Sequence, residues 1–94
     1  MFEIRYTGQF KRDLKLLKKR SENSFQKLAA FVQDLEKTGF EGIDKKHKPH
    51  TLKGIYNDCF ECHVLNDYLL IWREDKKAMV IELIRTGTHS DLFG

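Results

Sequence analysis

Three apolar stretches stand almost end to end in the second half of this chain: DCFECHVL (58–65), YLLIWRE (68–74) and AMVIELIR (78–85). Only Asn66-Asp67 and Asp75-Lys76-Lys77 separate them. Polar connections this short make tight turns, whereas a crossover between parallel strands needs about a dozen residues or more. The three segments are therefore expected to pair as an antiparallel meander. In the first of them the period of two puts Phe60, Cys62 and Val64 on one face, and Cys59, Glu61 and His63 on the other.

The first half reads differently. FEIRY (2–6) alternates like a strand. Thr7 then offers a cap to a helix in which Phe10, Leu14 and Leu17 share one face, with Lys11, Arg12, Lys15, Lys18 and Lys19 around the rest. Ser21-Glu22-Asn23 interrupts the period and supplies caps for a second helix, whose apolar face is Phe25, Leu28, Val32 and Leu35. Gly39 is placed to stop it. Residues 40–57 hold the only proline and no period, and are expected to form a loop. The order is β-α-α-β-β-β: an α+β fold, with an antiparallel sheet and the helical hairpin packed on one face. The other face would be open to a ligand. Ninety-four residues make one domain, 1–94.

Charge is uneven along the chain. Residues 1–20 carry seven Lys or Arg against two acids, and residues 45–53 carry four Lys and no acid. Two basic patches in so small a domain point to a polyanion partner, with a solvated helix face as the simpler alternative. No apolar run approaches the roughly 20 residues that span a bilayer. MFEIRYTGQF reads as neither a signal nor a transit peptide, so a cytoplasmic protein without structural disulfides is expected.

CFECH (59–63) has the spacing of a haem-attachment motif, half a zinc site or a thiol redox pair. On a strand, however, Cys59 and Cys62 point to opposite faces. A zinc site from His47, His50, Cys59 and Cys62 would need a turn at Phe60-Glu61, where no turn-forming residue stands. The simpler reading makes Cys62 a small core residue and Cys59 a surface or edge one. Glu61 and His63 remain side by side on the face away from Phe60. They are either two solvated polar residues or a pair capable of proton transfer. A basic, histidine-bearing face suits RNA cleavage without metal, because the RNA 2′-OH can attack its own phosphate, given a base, an acid and nearby cations. His50, His63 and His89 are candidates for the first two roles. Arg85 is a candidate bidentate phosphate clamp, and Phe93 a base-stacking residue.

Five segments together resemble one family: YTGQFKRDLK (6–15), HTLKG (50–54), ECHV (61–64), NDYLLIW (66–72) and RTGTHSDLFG (85–94). They are similar to the YafQ-type toxins of the RelE superfamily. The resemblance implies an endoribonuclease that cuts mRNA in the ribosomal A site, without metal or cofactor. It also implies a cognate antitoxin that covers the site, and an operator DNA contact made only through the toxin–antitoxin complex. Carried over by position, the active-site histidines fall on His50, His63 and His89, the catalytic aspartate on Asp67 and the C-terminal aromatic on Phe93. Arg85 matches the arginine before TGTH, and Glu61 an acidic position. Lys45, Lys46, Lys48 and Lys53, with Lys11, Lys15 and Lys18, would hold RNA phosphates. Tyr68 stands where relatives often have Trp, and Asn66 where Pro is common. His47 matches no motif of the family and reads as a basic-loop residue. The alternative to an enzyme is a binding module for RNA, the ribosome or an antitoxin, with these residues idle.

Overall fold

A computed structural model describes residues 1–94. The chain forms β1 (Glu3–Tyr6), α1 (Gly8–Arg20), α2 (Glu22–Thr38), a two-residue strand β2 (His50–Thr51), β3 (Phe60–Leu65), β4 (Tyr68–Asp75), β5 (Val80–Gly87) and a short α3 (His89–Phe93). The predicted caps are in place. Thr7 Oγ1 accepts from the Phe10 amide and donates to the Leu83 carbonyl, which ties the start of α1 to β5. Ser21 ends α1 and caps α2 by accepting from the Ser24 amide. Gly39 closes α2 at φ 69°, the left-handed region that glycine enters without a Cβ penalty.

The five strands lie in the order β1-β5-β4-β3-β2. The meander β2 to β5 is antiparallel throughout, as its short turns dictate. The edge pair β1–β5 is parallel, so the sheet is mixed rather than wholly antiparallel as expected. The chain reverses an even number of times on its way from β1 through the hairpin and the meander, so its first and last strands run the same way. The helical hairpin covers one face. Phe10, Leu17, Leu28 and Leu35 from the helices pack there on Cys62, Val64, Leu70, Trp72, Ile81 and Leu83. Trp72 is fully buried, and its indole N–H reaches Glu74 Oε1 at 3.2 Å. That oxygen also accepts from the Phe40 amide, so Glu74 fixes the chain as it leaves α2.

The opposite face is not the open platform the sequence suggested. Cys59, Leu69, Ile71 and Leu92 form a second small core there, flanked by Leu52, Tyr56 and Ile84. The cover comes from α3 and from the segment around the 3-10 turn Gly54–Tyr56. Cys59 is thus buried, not at a surface or edge. Residues 40–57 are also more ordered than a plain loop: three 3-10 turns and β2 are threaded through them. No helix is long and apolar enough to cross a membrane.

Candidate active site

α3 brings the C-terminal candidates onto the sheet. Thr88 caps it: its hydroxyl accepts from the Asp91 amide, and the Asp91 carboxylate accepts from the Thr88 amide. His89 and Phe93 are four residues apart on one side of this helix, with ring centroids 5.6 Å apart. Leu92 is buried in the second core and seats the helix. His63 points from β3 toward the same place, and its ring centroid is 6.2 Å from that of His89. Tyr56 stands edge-on to Phe93 at 5.8 Å, and Phe93 remains half exposed. Two imidazoles and an accessible aromatic ring, remote in sequence, therefore share one patch.

His50 lies one strand over, on Glu61. The two are register partners on β2 and β3, and His50 Nε2 lies 3.0 Å from Glu61 Oε1. His50 Nδ1 faces the Lys48 carbonyl at 2.8 Å. A carbonyl only accepts, so Nδ1 carries a hydrogen. The Nε2 contact is then a hydrogen bond only if a proton lies between it and the carboxylate. Glu61 is buried, with its Oε2 unpartnered, while the His50 side chain is 46% exposed. The expectation that Glu61 and His63 share an exposed face is corrected on this point. They share the face, but Glu61 lies under it and His50 is the group that solvent reaches.

Asp67 sits in the exposed β3–β4 turn. It lines a shallow cavity of about 580 Å³ with His63, Lys46, His47 and Lys48. His47, which no motif singled out, holds that cavity together. Its Nδ1 bonds the His63 carbonyl at 2.7 Å, and its ring stands edge-on to Phe31 at 5.0 Å. The basic turn Lys45–His47 is thereby pinned to the strand that carries His63, and Asp44 caps it from the other side. Lys45, Lys46, Lys48 and Lys53 are exposed around this edge, and Lys11, Lys15 and Lys18 are exposed on α1.

Arg85 does not present a free fork. Its Nε and Nη2 meet the two Asp13 oxygens at 2.8 and 3.2 Å, and Nη1 meets the Tyr56 hydroxyl at 3.2 Å. Asp13, first, and Tyr56 hold the guanidinium firmly in its charged form against partial burial. The bidentate grip expected for a phosphate is taken by a carboxylate from α1, a partner that sequence spacing gave no means of finding. The guanidinium stays on the hydroxyl of Tyr56, whose ring meets Phe93.

The cysteines belong to two different interiors. Cys62 lies in the helix-side core and Cys59 in the second core, on opposite faces of the sheet. They cannot meet on one ion or one haem. Burial pushes the Cys62 thiol up to about 12 and also raises that of Cys59, so both are protonated at neutral pH. No three His, Cys, Asp or Glu side chains converge as a metal-ligand set.

The chain as a whole is similar to known proteins. Residues 2–94 match the family model described as the bacterial toxin of type II toxin–antitoxin system, YafQ. The mRNA interferase toxin YafQ of Escherichia coli K12 is 34% identical over 92 residues, covering 98% of this chain and 96% of that one. The crystal structure of YafQ from E. coli BL21(DE3) superposes with a TM-score of 0.83 at 30% identity, over 100% of both chains. The toxin in the E. coli DinJ–YafQ toxin–antitoxin complex gives 0.79 at 32% identity, covering 99% of this chain and 98% of that one. With a family model spanning all but the first residue and a structural match over the whole chain, this protein belongs to the YafQ family of type II toxin–antitoxin toxins.

Proposed function

We propose that this chain is the toxin of a type II pair and an endoribonuclease that cuts mRNA on the ribosome, acting in the cytoplasm as one domain. The observation that carries the reading is the meeting of His63, His89 and Phe93 on one accessible patch bordered by exposed lysines. Phe93 offers a ring on which a splayed base can stack. That puts the adjacent phosphate between His63 and His89. One imidazole takes the proton of the 2′-OH as its oxygen attacks phosphorus. The other gives a proton to the departing 5′-oxygen. The P–O5′ bond breaks as the P–O2′ bond forms, leaving a 2′,3′-cyclic phosphate and a 5′-hydroxyl. Every proton is accounted for by side chains, and no cofactor enters.

His50, exposed above Glu61, donates to a non-bridging oxygen of the phosphorane once its Nε2, carrying the shared proton, turns from the Glu61 carboxylate to the RNA. Arg85, its charge paired with Asp13, holds Tyr56 beside Phe93, and the charge that gathers on phosphorus is offset by Lys46 and Lys48. Asp67, which lines the same cavity as Lys46, Lys48 and His63, orients His63. Lys11, Lys15 and Lys18 on α1, with Lys45 and Lys53, engage rRNA and mRNA phosphates. A cognate antitoxin neutralises the toxin, and operator DNA is met only through that complex. The relative crystallised with DinJ in a toxin–antitoxin complex supports the antitoxin partner.

The test is chemical. An mRNA with one 2′-deoxy nucleotide, placed immediately 5′ to its principal cut, is translated in a purified system with the protein. The account predicts loss of that cut alone, and a cyclic phosphate at the others. Cutting on the 3′ side of the deoxy nucleotide as before would contradict 2′-OH attack.

A further inference from the structure

Neither His89 nor Phe93 is held by its own burial, and α3 is only five residues long. A helix that short is marginal in water, so its pose must come from tertiary anchors. One is Leu92, whose side chain enters the second core. A single apolar anchor fixes depth but leaves rotation about it free.

The second anchor is polar and comes from the far end of α1. Arg20 Nη1 and Nη2 reach Asp91 Oδ2 and Oδ1 at 2.7 and 3.3 Å, across 71 residues of sequence. The same Asp91 Oδ2 accepts from the Thr88 amide at 3.0 Å and so closes the N-terminal cap of α3. Asp91 therefore ties the start of this helix to the end of α1. Gly87 makes room for the arrangement, since a Cβ there would stand 2.9 Å from Asp91 Cβ. Ahead of α3, Asp13 holds the Arg85 side chain and, at 3.1 Å, the Thr86 amide. α1 thus grips the C-terminal segment on both sides of His89. The Arg20 bond, with Thr88, also draws the Asp91 carboxyl down to about 2, so the link persists at any physiological pH.

We propose that Arg20 and Asp91 are positioning residues for RNA cleavage: their bidentate pair sets the rotation of α3 and hence the placement of His89 and Phe93. This rests on the reading that those two rings act on RNA. The pair is partly exposed, at 43% and 23%, so its contribution to global stability is small. Its effect is on geometry, where a shift of about 1 Å costs on the order of 100-fold in rate.

The experiment compares Arg20→Gln, Arg20→Lys, Asp91→Asn and the Arg20→Gln/Asp91→Asn double variant in ribosome-dependent cleavage, with amide exchange measured on each free protein. Arg20→Gln and Asp91→Asn change the net charge in opposite directions, yet each is expected to lower kcat by about 10- to 100-fold with KM within about threefold. The double variant falls no further than the worse single, and Arg20→Lys lies between wild type and Arg20→Gln. Amides 88–92 exchange faster in both single variants while those of β4 do not. Unchanged kcat, or KM moving in opposite senses with the charge, overturns the proposal. Unchanged exchange at 88–92 overturns it independently of any activity. A wild-type protein that cuts nothing overturns the proposed function, and this inference with it.

Discussion

Removing His50 has a consequence that depends on the charge beneath it. Glu61 is 3% exposed, and its only polar partner is His50 Nε2 at 3.0 Å. His50→Ala leaves the carboxylate without a proton donor. A fully buried ion pair broken in this way costs about 3–5 kcal/mol. The His50 side chain is 46% exposed, so its loss admits water and lowers the cost to roughly 1–3 kcal/mol. For a domain of this size that corresponds to a fall in Tm of about 5–20 °C. Glu61→Gln behaves differently. The amide introduced there donates a hydrogen to an unprotonated His50 Nε2, and no charge is buried, so stability changes by less than about 1 kcal/mol. The double variant His50→Ala/Glu61→Gln is then more stable than His50→Ala alone. Urea unfolding of the four proteins at pH 7 measures all of this in one cycle. A double variant as unstable as the sum of the two singles would refute the shared-proton argument. So would a His50→Ala protein as stable as wild type.

Cys59 and Cys62 are buried with raised thiols, so neither is expected to react with a thiol reagent in the native protein, and both react together on unfolding. Mass spectrometry of the native reaction checks this. Asp91 is lowered from 3.8 to about 2, chiefly by Arg20, so its stabilising contribution is complete above the ordinary value and is lost as pH falls toward the lowered one. The Tm difference between wild type and Asp91→Asn should shrink between about pH 4 and about pH 2 and stay constant above. Gly39 sits at φ 69° with Phe2 Cε1 2.9 Å from where a Cβ would stand, so Gly39→Ala is expected to lose about 1–3 kcal/mol in denaturant unfolding. Replacing Lys45, Lys46 and Lys48 with Gln should lower RNA affinity. It should also flatten the slope of log K against log salt by about 0.7 for each phosphate no longer neutralised, as read by binding titrations across salt.

The parts of the fold that were legible in the sequence are those governed by local rules. Thr7 and Ser21 as caps, Gly39 as a helix stop and the Asn66-Asp67 turn all act within a few residues, and the structure has them in those places. The apolar periods of the two helices and of β3 likewise decided which side faces the main core. What escaped depends on residues distant in sequence. The parallel pairing of β1 with β5 follows from counting reversals, not from any residue in FEIRY. The second core was invisible because its cover, α3, is too short to show a period. Thr88 and Asp91 nevertheless spell a capping box before Leu92, and that spacing is a readable helix start.

The site divides along the same line. Motif matching named His50, His63, His89 and Phe93, and the structure brings His63, His89 and Phe93 into one cluster, with His50 one strand over on Glu61. The groups that hold them could not be read from spacing. Asp13 occupies the Arg85 fork from 72 residues away, and Arg20 reaches Asp91 across 71. His47 looked like one more basic-loop residue, because its hydrogen bond is to a backbone carbonyl that carries no sequence signature.

The central claim is that the His89 imidazole takes part in cutting mRNA on the ribosome. Its most direct test is a primer-extension map of one message translated in a purified system, with wild type, with His89→Ala and with wild type in the absence of ribosomes. The account predicts cuts at fixed codon positions with wild type and ribosomes together, and none in the other two lanes. An equal pattern of cuts from a folded His89→Ala protein would contradict it.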